Sequence, residues 1–425
     1  MLNTNSINVV NAAKFSQGFT RPLYDSYCFS NIPETIMYLL TGEGRSALPP
    51  GALASLPQRY NKVILFFVDA FGWRFFERYA NKYALLKLFL EQGIVSKLTS
   101  QFPSTTAAHV TCIHTGLNVG QSGIYEWNYY EPLVDEMISP LLFAYAGDKT
   151  RDTLKRAKVP AEAYFPRQTL YSTLQARGVA SYVFQSAAFT PSTPSNVFFK
   201  GASVFPYKQV SDALAQLSHL LQAQNTSPAY YFLYFDTIDL VGHIHGPNSK
   251  EFEQMVNTFF TTVERSLFAL LQGKRGDTLF LMTADHGQVE VDGSQTVYLN
   301  QHIPGIEGYL RTNRHGRPLV PAGSARDMFL YVRQERLDEA IALLQKHLAG
   351  RAEVYRTEEL VTQGFFGREP PSSTFLARVG NVVILPYQGE TVWWYEYGKF
   401  DMHFSGHHGG LLPEEMEIPL CVLPC

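Results

Sequence analysis

VILFFVD, residues 63–69, is six apolar residues closed by an aspartate. A strand covered on both faces loses its in-out alternation, so an unbroken apolar run of this length reads as a buried strand of a parallel sheet. Three further runs, nearly continuous, read the same way: ASYVFQS (180–186), YYFLYFD (230–236) and TLFLMTAD (278–285). Helical patterns stand between them, RFFERYANKYALLKLFLEQG (74–93), VSDALAQLSHLLQAQ (210–224) and FEQMVNTFFTTVERSLFALLQG (252–273). This alternation predicts an α/β fold with a mostly parallel central sheet. Three of the four runs end at or beside an acid: Asp69, Asp236 with Asp239, and Asp285. Ligands of open α/β sheets sit at the carboxyl ends of the strands, so these acids are expected on one rim.

From about 300 to 400 the texture changes to Pro and Gly punctuation around one helical pattern, ERLDEAIALLQKHLAG (335–350), and two strand-like stretches, DMFLYV (327–332) and VGNVVILPY (379–387). Because FSGHHGGLLPEEMEIPL (404–420) returns to chemistry-bearing residues, residues 301–399 are expected to be a small α+β cap lobe inserted into a core of residues 1–300 and 400–425.

The 425 residues are 45% hydrophobic and 14% aromatic against 17% charged, which excludes a disordered chain. Thirty-five Lys and Arg against 38 Asp and Glu leave a net charge of −3, with no basic run, so a nucleic-acid-coating surface is not expected. The cysteines at 28, 112, 421 and 425 have neither zinc-knuckle nor disulfide-scaffold spacing. MLNTNSINVVNAAKF lacks the basic start and apolar stretch of a secretory signal, and no run of about 18 apolar residues occurs. The expectation is a cytoplasmic protein with no membrane span; nothing in the sequence bears on oligomeric state.

Four short segments carry candidate chemistry. TADHG (283–287) puts Asp285 and His286 side by side at a strand end, either as a cap with a bystander histidine or as metal ligands. DLVGHIHG (239–246) sets Asp239 four residues before His243, on one face if the segment is helical; the alternative is a helix cap with a satisfied histidine. SGHHGG (405–410) offers two histidines in a glycine loop, followed by Pro413 and Glu414 as a first helical turn. QFPSTTAAHVTCIHTG (101–116) presents Ser104, Thr105 and Thr106 before small residues that start a helix, where a hydroxyl is either a cap or a nucleophile beside free N–H groups that suit a phosphate. A threonine needs help to attack at neutral pH, and a metal supplies it. Asp69, Asp239, Asp285, His243, His286 and one C-terminal histidine make three carboxylates and three imidazoles, a donor set for two divalent cations with places left open. Two dications (+4), three carboxylates (−3) and an alkoxide (−1) sum to zero.

In order, VDAFG, FPSTTAAH, DLVGHIHG, TADHG and GHHGGL resemble the alkaline phosphatase superfamily, and most of all its type I phosphodiesterase/nucleotide pyrophosphatase family, over residues 60–130, 228–290 and 400–420. The resemblance implies an alkaline-phosphatase-like three-layer sandwich and a two-zinc phosphoric ester hydrolase, acting on small-molecule phosphate esters through a phospho-threonine. Carried over, it makes Asp69, Asp285 and His286 ligands of one zinc, with Thr106 bound to it, and Asp239, His243 and His408 ligands of the other. The nucleophile position, nine residues before Thr115, is Thr106, with Thr105 as rival. Where the family has a phosphoryl-holding asparagine this chain has Trp127, and where it has a stacking phenylalanine after the nucleophile it has Ala107; Tyr234 matches the second stacking aromatic. Trp127 and Tyr234 are therefore the expected substrate-binding residues.

The stretch 101–130 contains no arginine, which favours a diester over a monoester, with Arg74 and Arg326 as the cations that remain to be placed. The alternatives are a phosphomonoesterase, a phosphonate hydrolase or mutase-like relative and, from another class, a non-catalytic zinc scaffold. Among the other histidines, His245 and His407 are expected near the ligands, and Asp236 as an acceptor behind them.

Overall fold

The computed structural model describes residues 1–54, 56–223, 227–272 and 276–425. A seven-stranded sheet forms the centre, built from β1 (Lys62–Val68), β2 (Ile94–Thr99), β3 (Ala180–Ser186), β4 (Ser203–Tyr207), β5 (Ala229–Phe235), β6 (Thr278–Thr283) and, near the end of the sequence, β10 (Glu417–Pro424). Their order across the sheet is β2-β10-β6-β1-β5-β3-β4. From β6 to β4 every pairing is parallel, and β10 alone runs against both its neighbours. Every residue of β1, β5 and β6 is buried, as unbroken apolar strands require.

Helices cover both faces and complete three layers. On one face lie α1 (Trp73–Tyr79), α2 (Ala84–Gln92), α4 (Val210–Gln222) and α6 (Lys250–Gln272); on the other α3 (Thr106–Thr115) packs with the helices Ile32–Thr41 and Leu170–Gln175. The longest, α6, buries Phe252, Val256, Phe259, Phe260, Val263, Leu267 and Leu271, a stripe at helical spacing. Gln224 and Gly273, the last residues of two expected helices, lie outside the described residues.

The expected helix 74–93 is two helices. Tyr83 is extended (φ −103°, ψ 137°), its ring stacks on Phe260 at 4.8 Å, and the Glu264 carboxylate accepts the Leu85 N–H at 2.9 Å. Contacts with α6 thus override an uninterrupted helical pattern. Strands β2 and β10 escaped the sequence reading because neither is a continuous apolar run. They carry Lys97 and Glu417, which pair at 2.5 Å, and Pro419, which stands just before β10 begins to pair with β6 at Leu420.

Within the stretch expected to be a lobe, β7 (Met328–Leu330), β8 (Ala352–Arg356) and β9 (Val382–Pro386) form an antiparallel sheet of order β7-β9-β8, beside α7 (Leu337–His347). All four cysteines are buried and free. Among the described residues no helix is long and apolar enough to cross a membrane.

Candidate active site

The carboxyl ends of β1, β5 and β6 bring the acids together. Directly after Asp69 the chain turns at Ala70 in the left-handed region (φ 60°), and the Ala70 N–H is donated to Asp285 Oδ1 at 3.1 Å, tying the end of β1 to that of β6. Beneath this bond Gly72 and Gly287 touch: a Cβ on Gly72 would stand 2.6 Å from the Gly287 Cα. The glycines of VDAFG and TADHG are therefore there for close approach.

After β5 the chain enters α5 (Thr237–His245), which sets Asp239 and His243 on one face, with His243 Nε2 3.3 Å from Asp239 Oδ2. His408, in the C-terminal glycine loop, brings its Nε2 to 3.8 Å from Asp239 Oδ1. His286 Nε2 lies 3.3 Å from Asp285 Oδ2 and 3.5 Å from Asp69 Oδ1. Two sets of ligand atoms lie within 4.8 Å of one another: Asp69 with Asp285 and His286, and Asp239 with His286 and His408. His286 belongs to both, because its ring stacks on that of His408.

These residues fit a pair of cations. His243, His286 and His408 each donate Nδ1–H to a backbone carbonyl, of Gly406, Gly287 and Ser104, at 2.8, 2.9 and 2.9 Å. A carbonyl only accepts, so in all three rings Nδ1 carries a proton and Nε2 is the nitrogen turned to the carboxylates, the one that a metal would take. Asp69 Oδ1 and Asp285 Oδ2 are buried without a hydrogen-bond partner. Oxygen and nitrogen lone pairs thus face one another in a desolvated space, which a cation relieves. Burial, with Asp285 and Asp239 close by, holds the Asp69 carboxyl well above its usual range, and burial pushes Asp285 up to about 7. Burial, then neighbouring imidazoles, keeps His286 and His408 neutral.

Thr106 is the first residue of α3, and no side chain caps that helix. Its Oγ1 lies 3.3 Å from His286 Nε2, at the edge of the Asp69 set. Thr105 is buried, with its hydroxyl turned to the Glu126 carboxyl. The hydroxyl of Thr106, with the uncapped N–H groups of the first turn, therefore faces the cluster. Beneath them His109 donates Nδ1–H to the Thr105 carbonyl (2.7 Å), and its Nε2 accepts the Gln101 N–H (2.9 Å). Burial lowers it to about 3, so it is a neutral strut of the loop before the helix.

Asp69, Thr106, Asp239, His243 and His408 open into a cavity of ≈ 540 Å³. Asp285 and His286 lie behind its wall, wholly buried. Trp127 lines the mouth and is 39% exposed, whereas Ala107 is buried and does not reach the cavity. Tyr234, expected as a stacking surface, lines the floor, and its hydroxyl is donated to Asp69 Oδ2, so it holds that carboxylate in place. His407 and the half-buried Asp236 also line the cavity, whereas His245 is exposed away from it.

Two residues suggested as cations for the site do not reach it. Arg74 gives its guanidinium to the Gln288 carbonyl and lies over Phe75. Arg326 is wholly buried and bidentate to Glu415, Nε–Oε1 and Nη2–Oε2 both 3.0 Å. Glu415 also accepts the Gly410 N–H at 3.0 Å, so this pair holds the loop that carries His408.

Sequence reasoning missed Glu126, Asn128 and Lys399, which line the cavity, and Asp327 behind them. Glu126 and Asp327 are buried, face each other, and each has one oxygen without a partner. Burial raises Glu126 to about 7; burial and then Glu126 hold Asp327 well above its usual range. A local signal for this pair was lacking, because its members lie on separate segments that meet only in the fold.

The sequence model of the family described as Type I phosphodiesterase / nucleotide pyrophosphatase matches residues 63–411. The ectonucleotide pyrophosphatase/phosphodiesterase family member 3 of Rattus norvegicus is 23% identical over 258 residues, 58% of this chain and 27% of that protein. Family member 1 of Mus musculus is 23% identical over 257 residues, 57% of this chain and 26% of that protein. The chain thus spans about a quarter of the length of these curated relatives. Among solved structures, murine ectonucleotide pyrophosphatase / phosphodiesterase 5 superposes with a TM-score of 0.60 at 17% identity, covering 84% of this chain and 87% of that one. An inactive form of the same murine protein in complex with AMP gives 0.61 at 17% identity over the same shares. These structures share the fold, that of alkaline phosphatases.

Proposed function

We propose a reaction for a chain that belongs to the type I phosphodiesterase / nucleotide pyrophosphatase family: hydrolysis of phosphoric diesters, with Thr106 as nucleophile and two zinc ions as cofactors. Asp69, Asp285 and His286 would hold one ion, and Asp239, His243 and His408 the other. The observation that carries this reading is the approach of Thr106 Oγ1 to 3.3 Å from His286 Nε2, beside partnerless carboxylate oxygens of Asp69 and Asp285. Bound there, divalent cations lower the pKa of a hydroxyl and take up charge on a leaving oxygen.

In this reading the N–H groups opening α3 hold the phosphoryl oxygens while Thr106 Oγ1 attacks phosphorus in line. The P–O bond to the leaving alcohol breaks as the Thr106 Oγ1–P bond forms, giving a phospho-threonine. Water then attacks phosphorus from the vacated side and releases Thr106. Two inversions give net retention. Residues 301–399 enter as an inserted lobe that shapes the cavity, since Ser324 and Trp393 line it.

The test combines metal analysis of the purified chain with a panel of mono-, di- and pyrophosphate esters. We expect two zinc ions per chain, loss of turnover on chelation, and diesters hydrolysed faster than p-nitrophenyl phosphate. Full activity after the metals are stripped, or a wide preference for the monoester, overturns the proposal.

A further inference from the structure

Beyond its floor of metal-type donors, the cavity is walled by carbon. On the α3 side stand Leu142, Phe189 and Phe198; on the other stand Trp393, Met402 and Phe404, the last with its ring 4.6 Å from that of His243. A volume of ≈ 540 Å³ is ample for a drug-sized group.

The charge on these walls discriminates further. Two dications would neutralise Asp69, Asp239 and Asp285. Asp236 and Asp401 remain on the lining against Lys399, the one lysine or arginine among the described lining residues. Lys399 already pairs with Glu396 at 2.5 Å. A substrate with further phosphates would meet acid without a free counter-cation. The two positions at which the family resemblance expects base-stacking rings do not supply them, since Ala107 is buried and Tyr234 is bonded to Asp69; the rings that line the cavity stand instead on its apolar walls.

We propose that this cavity selects phosphodiesters whose non-reacting arm is large, uncharged and apolar, an alkyl or aryl group, over nucleotide and polyphosphate esters. The inference rests on the diesterase reading above and names its substrate class. Burying one methylene is worth about a fourfold change in an equilibrium or rate ratio, so a six-carbon arm should gain at least about tenfold over a methyl arm.

The experiment uses the zinc-loaded full chain and four p-nitrophenyl esters that release the same alcohol: those of methyl, hexyl and phenyl phosphate and of thymidine 5′-phosphate, with p-nitrophenyl phosphate as the monoester. The expected order of kcat/KM puts hexyl and phenyl at least about tenfold above methyl and above thymidine. The half-buried Phe189 tests the wall: Phe189→Ser should lower the hexyl-to-methyl ratio severalfold, through KM. Equal turnover of the four diesters, preference for the thymidine ester, or an unchanged ratio in Phe189→Ser overturns the apolar arm and leaves diesterase chemistry standing. Failure of every diester, with or without turnover of the monoester, overturns both.

Discussion

The imidazole rings of His286 and His408 lie 3.6 Å apart between centroids and 13° from parallel. One ring follows β6 and the other sits in the C-terminal glycine loop, and each donates Nδ1–H to a carbonyl on its far side. The stack therefore joins the Asp69–Asp285 half of the cluster to the Asp239–His243 half. It holds two lone-pair nitrogens side by side, each toward its own carboxylates.

If Thr106 is the nucleophile, Thr106→Ala should lower kcat for a p-nitrophenyl diester by about 10³-fold or more, leaving only what positioning and electrostatics supply. Thr105→Ala should fall within about tenfold of the parent, because that hydroxyl is turned to Glu126. The reverse ranking would assign the attack to Thr105.

Tyr234→Phe removes the donor to Asp69 Oδ2 without changing the ring. Zinc affinity, measured by competition with a chromophoric chelator, should weaken about 10–100-fold, with an unchanged circular dichroism spectrum. Parental affinity would show that Asp69 needs no such anchor.

Breaking the Arg326–Glu415 pair leaves a wholly buried charge alone. Arg326→Met and Glu415→Gln should each destabilise the fold by about 3–5 kcal/mol in urea denaturation. The double variant should lose less than the sum of the two, as expected for residues in direct contact.

Glu126 makes stability depend on pH. Its folded pKa, about 7, lies above the ordinary 4.5, so the folded state keeps a proton that the unfolded chain releases between those values. The stabilisation is fully present below about pH 4.5 and is lost as pH rises through 7, a difference of about 3 kcal/mol. Glu126→Gln is uncharged throughout, so its stability relative to the parent should rise from pH 5 to pH 8. Urea midpoints at several pH values check this; a constant difference would show that Glu126 folds as an ordinary carboxylate.

Legibility in the sequence followed the range of the interactions. Strands β1, β5 and β6 were readable because burial on both faces leaves one signature, a continuous apolar run, and β3, only partly buried, because its run is nearly continuous. The six donors were readable because each sits in a short segment with its own spacing, as Asp239 and His243 do on one helical turn. Strands β2 and β10 were not, since Lys97 and Glu417 each look solvent-facing until they pair. The break before Tyr83 was set by Phe260 and Glu264, far along the chain.

By itself the sequence determined the α/β alternation, the acids at strand ends and the residue types able to hold cations, all of which follow from local periodicity and side-chain chemistry. Tertiary structure alone decided which lone pairs converge, that Tyr234 and Arg326 brace the site from behind, and that Glu126 faces Asp327. Those relations depend on distances between segments far apart in the chain, and only its packing creates them.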